Sequence, residues 1–317
     1  MQSRAASVDR KAALLALVLG CACRSAEPRE PGWLEVRREI FGTEFHVLLA
    51  DADALRLLGR ANRALDAAED VARVLDRWDE SSELAQLNRD PRIGWLDASC
   101  DLVDALELAL DAHAATGGAF DVRVAASLRG YGYYGAPSFD GPSAIMGGLD
   151  VALADELRVQ REPCRVWRAR ALELDCGGLA KGLAVRRAVD RLRELGVDNA
   201  LVDAGASSVY ALGRGPDGRG WPYAAPPAVG APEILGLVDC AVSVSQQHSL
   251  ADAHVLEASV IVDPATGLLA APSTVLVLGP DAALADAWST ALVASGARAV
   301  PPAFERLGRE WRAWIAR

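Results

Sequence analysis

Beyond position 11 the chain uses arginine for every basic residue except one, Lys181. That lysine sits in the stretch DCGGLAKGLA, residues 175–184, where a glycine-rich turn runs into an apolar helical pattern. The main-chain N–H groups at the start of a helix are unpaired, and they favour anions. A lysine placed there adds a charge suited to a phosphate. The spacing is not that of a Walker loop, because the GxxxxGK[ST] pattern is absent. An ordinary surface lysine at a helix start remains the plain alternative. A second candidate lies further on, in DAALADAWSTAL (281–292), where Asp286 and Thr290 stand four residues apart. On a helix that spacing puts a carboxylate and a hydroxyl together on one otherwise alanine-rich face, a placement that needs a reason. A solvated helix face is the competing reading.

The elements that must position these groups follow from periodicity. Residues 33–50 alternate and are rich in aromatic and β-branched residues, so they read as strands around Gly42. Helical spacing of apolar residues covers 53–77, and a second helix is expected over 97–115. The glycine- and tyrosine-rich stretch 128–148 reads as a loop, and short strands are expected within 157–175, ending at Asp175. A helix over 179–195, carrying Lys181 in its first turn, stops at Gly196. A hairpin is expected over 199–213, and DCAVSVS (239–245), ASVIVDPATG (258–267) and STVLVLG (273–279) are further strand-and-turn segments. A last helix, opened by Pro280, covers 280–295. Strands and helices mix without a strict βαβ rhythm, and this predicts an α+β fold.

Composition limits the function classes. The chain has 317 residues, of which 51% are hydrophobic, enough for a sizeable core. A net charge of −10 argues against nucleic acid as a partner. Arg4, Arg10 and Lys11 precede a short apolar run, Ala12–Gly20, that leads to Cys21. The run is shorter than the about 20 residues of a membrane-spanning helix. Small residues before a cysteine resemble a bacterial lipoprotein signal. The expected organisation is therefore a signal peptide at 1–20, lipidation at Cys21, a linker at 21–34 and one domain over 35–317. Secretion without lipid is the alternative. Such a chain would be lipid-anchored to a membrane and face the periplasm or another extracytoplasmic space. Six cysteines are present without a CxxC pair, which argues against a zinc ribbon or a thioredoxin-like site. Their spacing assigns no disulfide.

Six stretches occur in a telling order: FGTEF (41–45), SELAQLN (82–88), TGGAFDVRV (116–124), DCGGLAKG (175–182), VDPATG (262–267) and DAALADAWSTAL (281–292). Together they resemble the ApbE family of FAD:protein FMN transferases, over roughly residues 35–298. The resemblance implies an ApbE-like, T-fold-like α+β architecture of mixed sheets with packed helices. It also implies transfer of FMN from FAD to a threonine or serine hydroxyl of a partner flavoprotein, with Mg²⁺ bound and AMP released. By the same resemblance the metal ligands are the main-chain carbonyl of Ala180 and the side chains of Asp286 and Thr290. Lys181 falls near the flavin phosphates and Asp121 near FAD. Trp78 stands where relatives often carry tyrosine and is expected to stack on flavin or adenine, with core packing as its alternative.

The chain departs from the family pattern in three places. Val260 stands where relatives usually carry a histidine, Gly205-Ala206-Ser207 replaces a GGD-like stretch, and Val244-Ser245-Gln246 replaces TSG. Valine cannot move a proton, and such help is worth about 10²–10⁴-fold. His248 and His254 are the candidates to substitute, with a plain surface histidine as the alternative reading of each, whereas His46 and His113 read as structural. The departures leave two alternatives to a transferase: an impaired flavin- or metal-binding module, or an FAD pyrophosphatase.

Overall fold

A computed structural model of the chain describes residues 32–51, 54–134, 151–248 and 260–316. The expected signal peptide, Cys21 and His254 lie outside the described residues, as does most of the loop expected at 128–148.

The first strands, β1 (Gly32–Ile40) and β2 (Thr43–Asp51), pair antiparallel, with the turn at Phe41 and Gly42 between them. β1 begins inside the expected linker. Helix α1 (Ala54–Leu75) follows, then α2 (Glu83–Arg89), β3 (Gly94–Asp97) and α3 (Cys100–Ala115). Next come α4 (Ala125–Gly130), α5 (Leu153–Glu156), β4 (Leu157–Arg161) and β5 (Cys164–Arg168). Helix α6 (Gly177–Glu194) leads into the hairpin of β6 (Ala200–Ala204) and β7 (Ser208–Leu212). β8 (Trp221–Ala224), β9 (Ile234–Leu237), β10 (Cys240–Gln247) and β11 (Ser273–Gly279) precede α7 (Ala282–Ala294), α8 (Pro302–Glu305) and β12 (Arg312–Ala316).

Seven strands form the main sheet in the order β1-β2-β6-β7-β10-β11-β12, with every neighbouring pair antiparallel. One face of it carries Phe45, Val47, Leu49, Val202 and Val275, all fully buried in the main core. Helices α1, α6 and α7 pack over that face. The β8–β9 hairpin covers part of the other face, where Trp221 and Leu237 meet Ala211, Val242 and Leu276. A smaller sheet, β3-β5-β4, sits against α3. Among the described residues no helix is long and apolar enough to cross a membrane.

The structure is mixed α and β, as expected, and three local expectations are corrected. No strand leads into α6, because β5 ends at Arg168 and residues 171–176 carry no regular structure. Helix α6 starts at Gly177, so Lys181 opens its second turn rather than lying in the first. Helix α7 is opened by Asp281, whose side chain accepts from the Leu284 N–H at 2.9 Å, and Pro280 stands outside it. Sequence reasoning also left Cys100 and Cys164 unassigned. They form a disulfide, with Cα atoms 5.2 Å apart, that ties the start of α3 to β5. Cys176 is buried and Cys240 half-buried, both unpaired.

Candidate functional site

The residues that open α6 are held from two sides. Asn88, at the end of the SELAQLN stretch, grips the main chain of Leu174: its Oδ1 accepts from the Leu174 N–H at 2.8 Å and its Nδ2 donates to the Leu174 carbonyl at 2.8 Å. Arg77 donates to the same carbonyl at 3.0 Å. Asn88 is in turn fixed because Ser82 caps α2 and the fully buried Arg168 closes its other end. The Arg168 guanidinium donates to the carbonyls of Leu87, Leu172, Asp90 and Arg92. A motif that reads as helix therefore acts as a clamp on a loop 86 residues away. Sequence reasoning missed this, although Asn88 belongs to one of the six stretches.

Helices α6 and α7 then meet at glycine. A Cβ on Gly178 would lie 2.7 Å from Thr290 Cγ2, and one on Gly182 only 2.3 Å from the Ala282 carbonyl oxygen. The glycines of this stretch thus let two helices touch, while Gly177 and Gly178 also line a cavity. The contact places the Gly182 N–H 2.8 Å from Asp286 Oδ2. Asp286 is buried, and its Oδ1 accepts from Ser243 at 3.2 Å. Burial pushes the Asp286 carboxyl up, against the pull of the nearby Lys181 charge and of these hydrogen bonds. One turn on, Thr290 Oγ1 lies 3.2 Å from Ser245 Oγ and donates to the Gly178 carbonyl at 3.5 Å. Asp286 and Thr290 do share a face, but that face is buried against α6 and β10 rather than solvated.

These groups line a cavity of about 480 Å³, within the size range of small-molecule sites. Trp78, Asp121, Ala180, Lys181, Asp286 and Thr290 all border it. Trp78 is 62% exposed, so core packing does not explain it. Its ring centroid lies 5.4 Å from that of Tyr133 and 5.3 Å from that of Tyr134. Arg77 stacks over the Tyr134 ring at 3.8 Å, and the Tyr134 hydroxyl donates to Asp175. A cluster of rings with one open face suits a flat heterocycle.

Asp121 has a more restricted role than a free carboxylate. It caps a short 3₁₀ turn and is paired with Arg123 at 2.6 Å, while His113 Nδ1 stands 3.3 Å away. Burial raises its carboxyl, but hydrogen bonds from His113 and Arg123 outweigh this and hold it below the usual carboxylate range. Asp175 is engaged too, accepting the Gly177 N–H as well as the Tyr134 hydroxyl. The helix start is therefore less open to an anion than its sequence implies.

The three departures also face the cavity, which is bordered by Val260, Ala206, Ser207, Val244, Ser245 and Gln246. Ala206 sits at φ 60°, a left-handed conformation that costs a residue bearing a Cβ about 1–2 kcal/mol. Gly205 beside it is left-handed as well, and a Cβ there would lie 2.3 Å from Thr43 Oγ1.

The oxygen donors suit a hard cation. A buried carboxylate, the hydroxyl of Thr290 and main-chain carbonyls of α6 make a set with too little positive charge for the carboxylate it contains. Magnesium prefers such oxygens and keeps several waters. Among the described residues no group of three or more His, Cys, Asp or Glu side chains forms a metal cage.

Comparison with known proteins gives a consistent picture. The sequence model described as the ApbE family matches residues 41–313. An FAD:protein FMN transferase of Haemophilus influenzae is 23% identical over 285 residues, covering 84% of this chain and 82% of the relative. Among solved structures, a point mutant of the flavin transferase ApbE from Vibrio cholerae superposes with a TM-score of 0.72 at 21% identity, covering 90% of this chain and 94% of that one. The apo flavinyl transferase ApbE of Pseudomonas stutzeri gives a TM-score of 0.72 at 23% identity, covering 92% and 93%.

Proposed function

Taking as premise that this chain belongs to the ApbE family, we propose that it transfers FMN from FAD to a threonine or serine hydroxyl of a partner flavoprotein and releases AMP. One observation carries this reading: stretches far apart in sequence, from Thr43 to Thr290, border a single cavity. The reaction is phosphoryl transfer at a pyrophosphate, so the protein must position the groups and offset negative charge. Lys181 supplies a fixed positive charge at the cavity wall, and the Trp78–Tyr133–Tyr134 cluster supplies a platform for a ring. Asn88 and Arg77 hold the start of α6, and with it Lys181, in place.

In this proposal Asp286, Thr290 and the Ala180 carbonyl hold Mg²⁺, which when bound would neutralise phosphate charge. The donor chemistry and the buried carboxylate support the assignment. The proposal includes export and lipid attachment at Cys21, outside the described residues. Support comes from the Cys100–Cys164 disulfide, a bond that persists in oxidising compartments.

The test is direct. Residues 24–317 are incubated with FAD, Mg²⁺ and a purified acceptor domain that a family member flavinylates in parallel, while AMP and covalent flavin fluorescence are followed. Transfer with matching AMP, lost in Asp286→Ala, is the expected result. AMP without labelled acceptor would make the protein an FAD pyrophosphatase. Neither signal would leave a binding module.

A further inference from the structure

We infer that His248 is the general base of this site, taking the proton from the acceptor hydroxyl; the inference rests on the transfer reading above. A hydroxyl is a poor nucleophile until a neighbouring base takes its proton. The side chains bordering the cavity that could act as that base are four aspartates and one imidazole: Asp76, Asp121, Asp175, Asp286 and His248. Three of the aspartates are committed elsewhere. Asp121 is bound by Arg123, Asp175 by the Tyr134 hydroxyl and the Gly177 N–H, and Asp286 by the Gly182 N–H and Ser243. Asp76 holds the Trp78 N–H at 2.9 Å and is the remaining rival base. The His248 ring has no hydrogen-bond partner among the described residues, and the side chain is exposed at the end of β10.

Its placement is built rather than incidental. Gln247 is buried, with its Oε1 accepting from the Ile261 N–H at 2.7 Å and its Nε2 donating to the His248 carbonyl at 3.0 Å. One side chain thus ties the main chain of His248 to the segment that carries Val260, and both residues face the cavity. Val260 has no atom that can hold a proton. Imidazole is the side chain that most often serves as a general base.

The step balances. The hydroxyl proton passes to a ring nitrogen of His248 as the acceptor oxygen bonds to the FMN phosphorus. The bond from that phosphorus to the bridging oxygen breaks, and the oxygen leaves with its electron pair on AMP. The imidazolium then returns its proton to water.

The experiment compares the wild-type chain, His248→Asn, His248→Gly and Asp76→Asn in single-turnover transfer to the acceptor domain across pH, with FAD affinity measured by flavin fluorescence. His248→Asn is expected to lose about 10²-fold or more in rate, with FAD affinity and the KM for acceptor within about twofold of wild type. The fall in rate on the acid side of the profile should vanish in His248→Asn and persist in Asp76→Asn. Added imidazole should restore part of the rate of His248→Gly, which a purely structural role would not allow. A His248→Asn rate within about threefold of wild type overturns the assignment, as does loss of the acid limb in Asp76→Asn alone. Absence of transfer by the wild-type chain at every pH overturns the functional reading and this inference with it.

Discussion

Replacing Gly182 by alanine tests the helix contact on which the site depends. The added Cβ would stand 2.3 Å from the Ala282 carbonyl oxygen and 2.6 Å from Asp286 Cβ. Unstrained non-bonded contacts are about 3.5 Å or more, so α6 and α7 must part by roughly 1 Å. Overpacking of this kind costs about 1–3 kcal/mol. The Gly182 N–H would also be drawn off the Asp286 carboxylate, and a hydrogen bond to a charged group contributes about 1.5–3 kcal/mol. Alanine returns about 1 kcal/mol through its better helix propensity. The net loss expected is about 2–4 kcal/mol, or a melting point lowered by about 5–10 °C for a domain of this size. A carboxylate displaced by about 1 Å should lower AMP release by about 10²-fold. Gly59 in α1 is the control, since a Cβ there meets nothing within 4 Å. Gly59→Ala should melt at the same temperature or slightly above wild type, at full activity. If Gly182→Ala melts within about 2 °C of wild type and releases AMP at the same rate, the helix-contact argument is wrong.

Three further outcomes are expected. Ala206→Gly relieves a left-handed alanine at φ 60° and should leave stability unchanged or raise it by up to about 1 kcal/mol, because relief of strain is partly offset by a more flexible unfolded chain; thermal melting checks it. Replacing both Cys100 and Cys164 by serine opens a loop of 64 residues and should cost about 4 kcal/mol on the chain-entropy estimate, read by urea titration. Arg123 lies buried between Asp121 and Glu156, so Arg123→Leu should cost about 3–5 kcal/mol at neutral pH. Both carboxyls titrate below their ordinary values of 3.8 and 4.5. Their contribution is therefore present at neutral pH and lost as pH falls through the lowered native values. The deficit of Arg123→Leu should accordingly shrink as pH falls below about 4, as measured by urea titration at each pH.

Local pattern made most elements legible. Alternation exposed β1 and β2, the apolar 3.6-residue rhythm exposed α1, α3, α6 and α7, and Gly196 marked the end of α6. The cavity-lining residues were legible only through the order of six short stretches, since no single one states a chemistry. What remained hidden depends on distance in sequence. Nothing local shows that Asn88 clamps Leu174, that Gly178 and Gly182 face a helix far along the chain, or that Cys100 meets Cys164. The β8–β9 hairpin also escaped, because its strands are four residues each and too short for alternation to register. Trp78 shows the limit of residue type: a tryptophan reads equally as core or as platform until its exposure is known.

The scarcity of lysine has a practical consequence. Past position 11 the chain carries one side-chain amine, and it borders the cavity. Reagents and enzymes that acylate amines will find no other side-chain target among the described residues, since arginine does not react in the same way. Covalent labelling at neutral to mildly alkaline pH is thus a built-in occupancy gauge, in which bound ligand shields the amine and the labelled fraction reports the empty fraction. The same economy is a hazard for bench work, because coupling of a sensor surface or a fluorophore to a side-chain amine past position 11 would attach the protein at the wall of its own cavity.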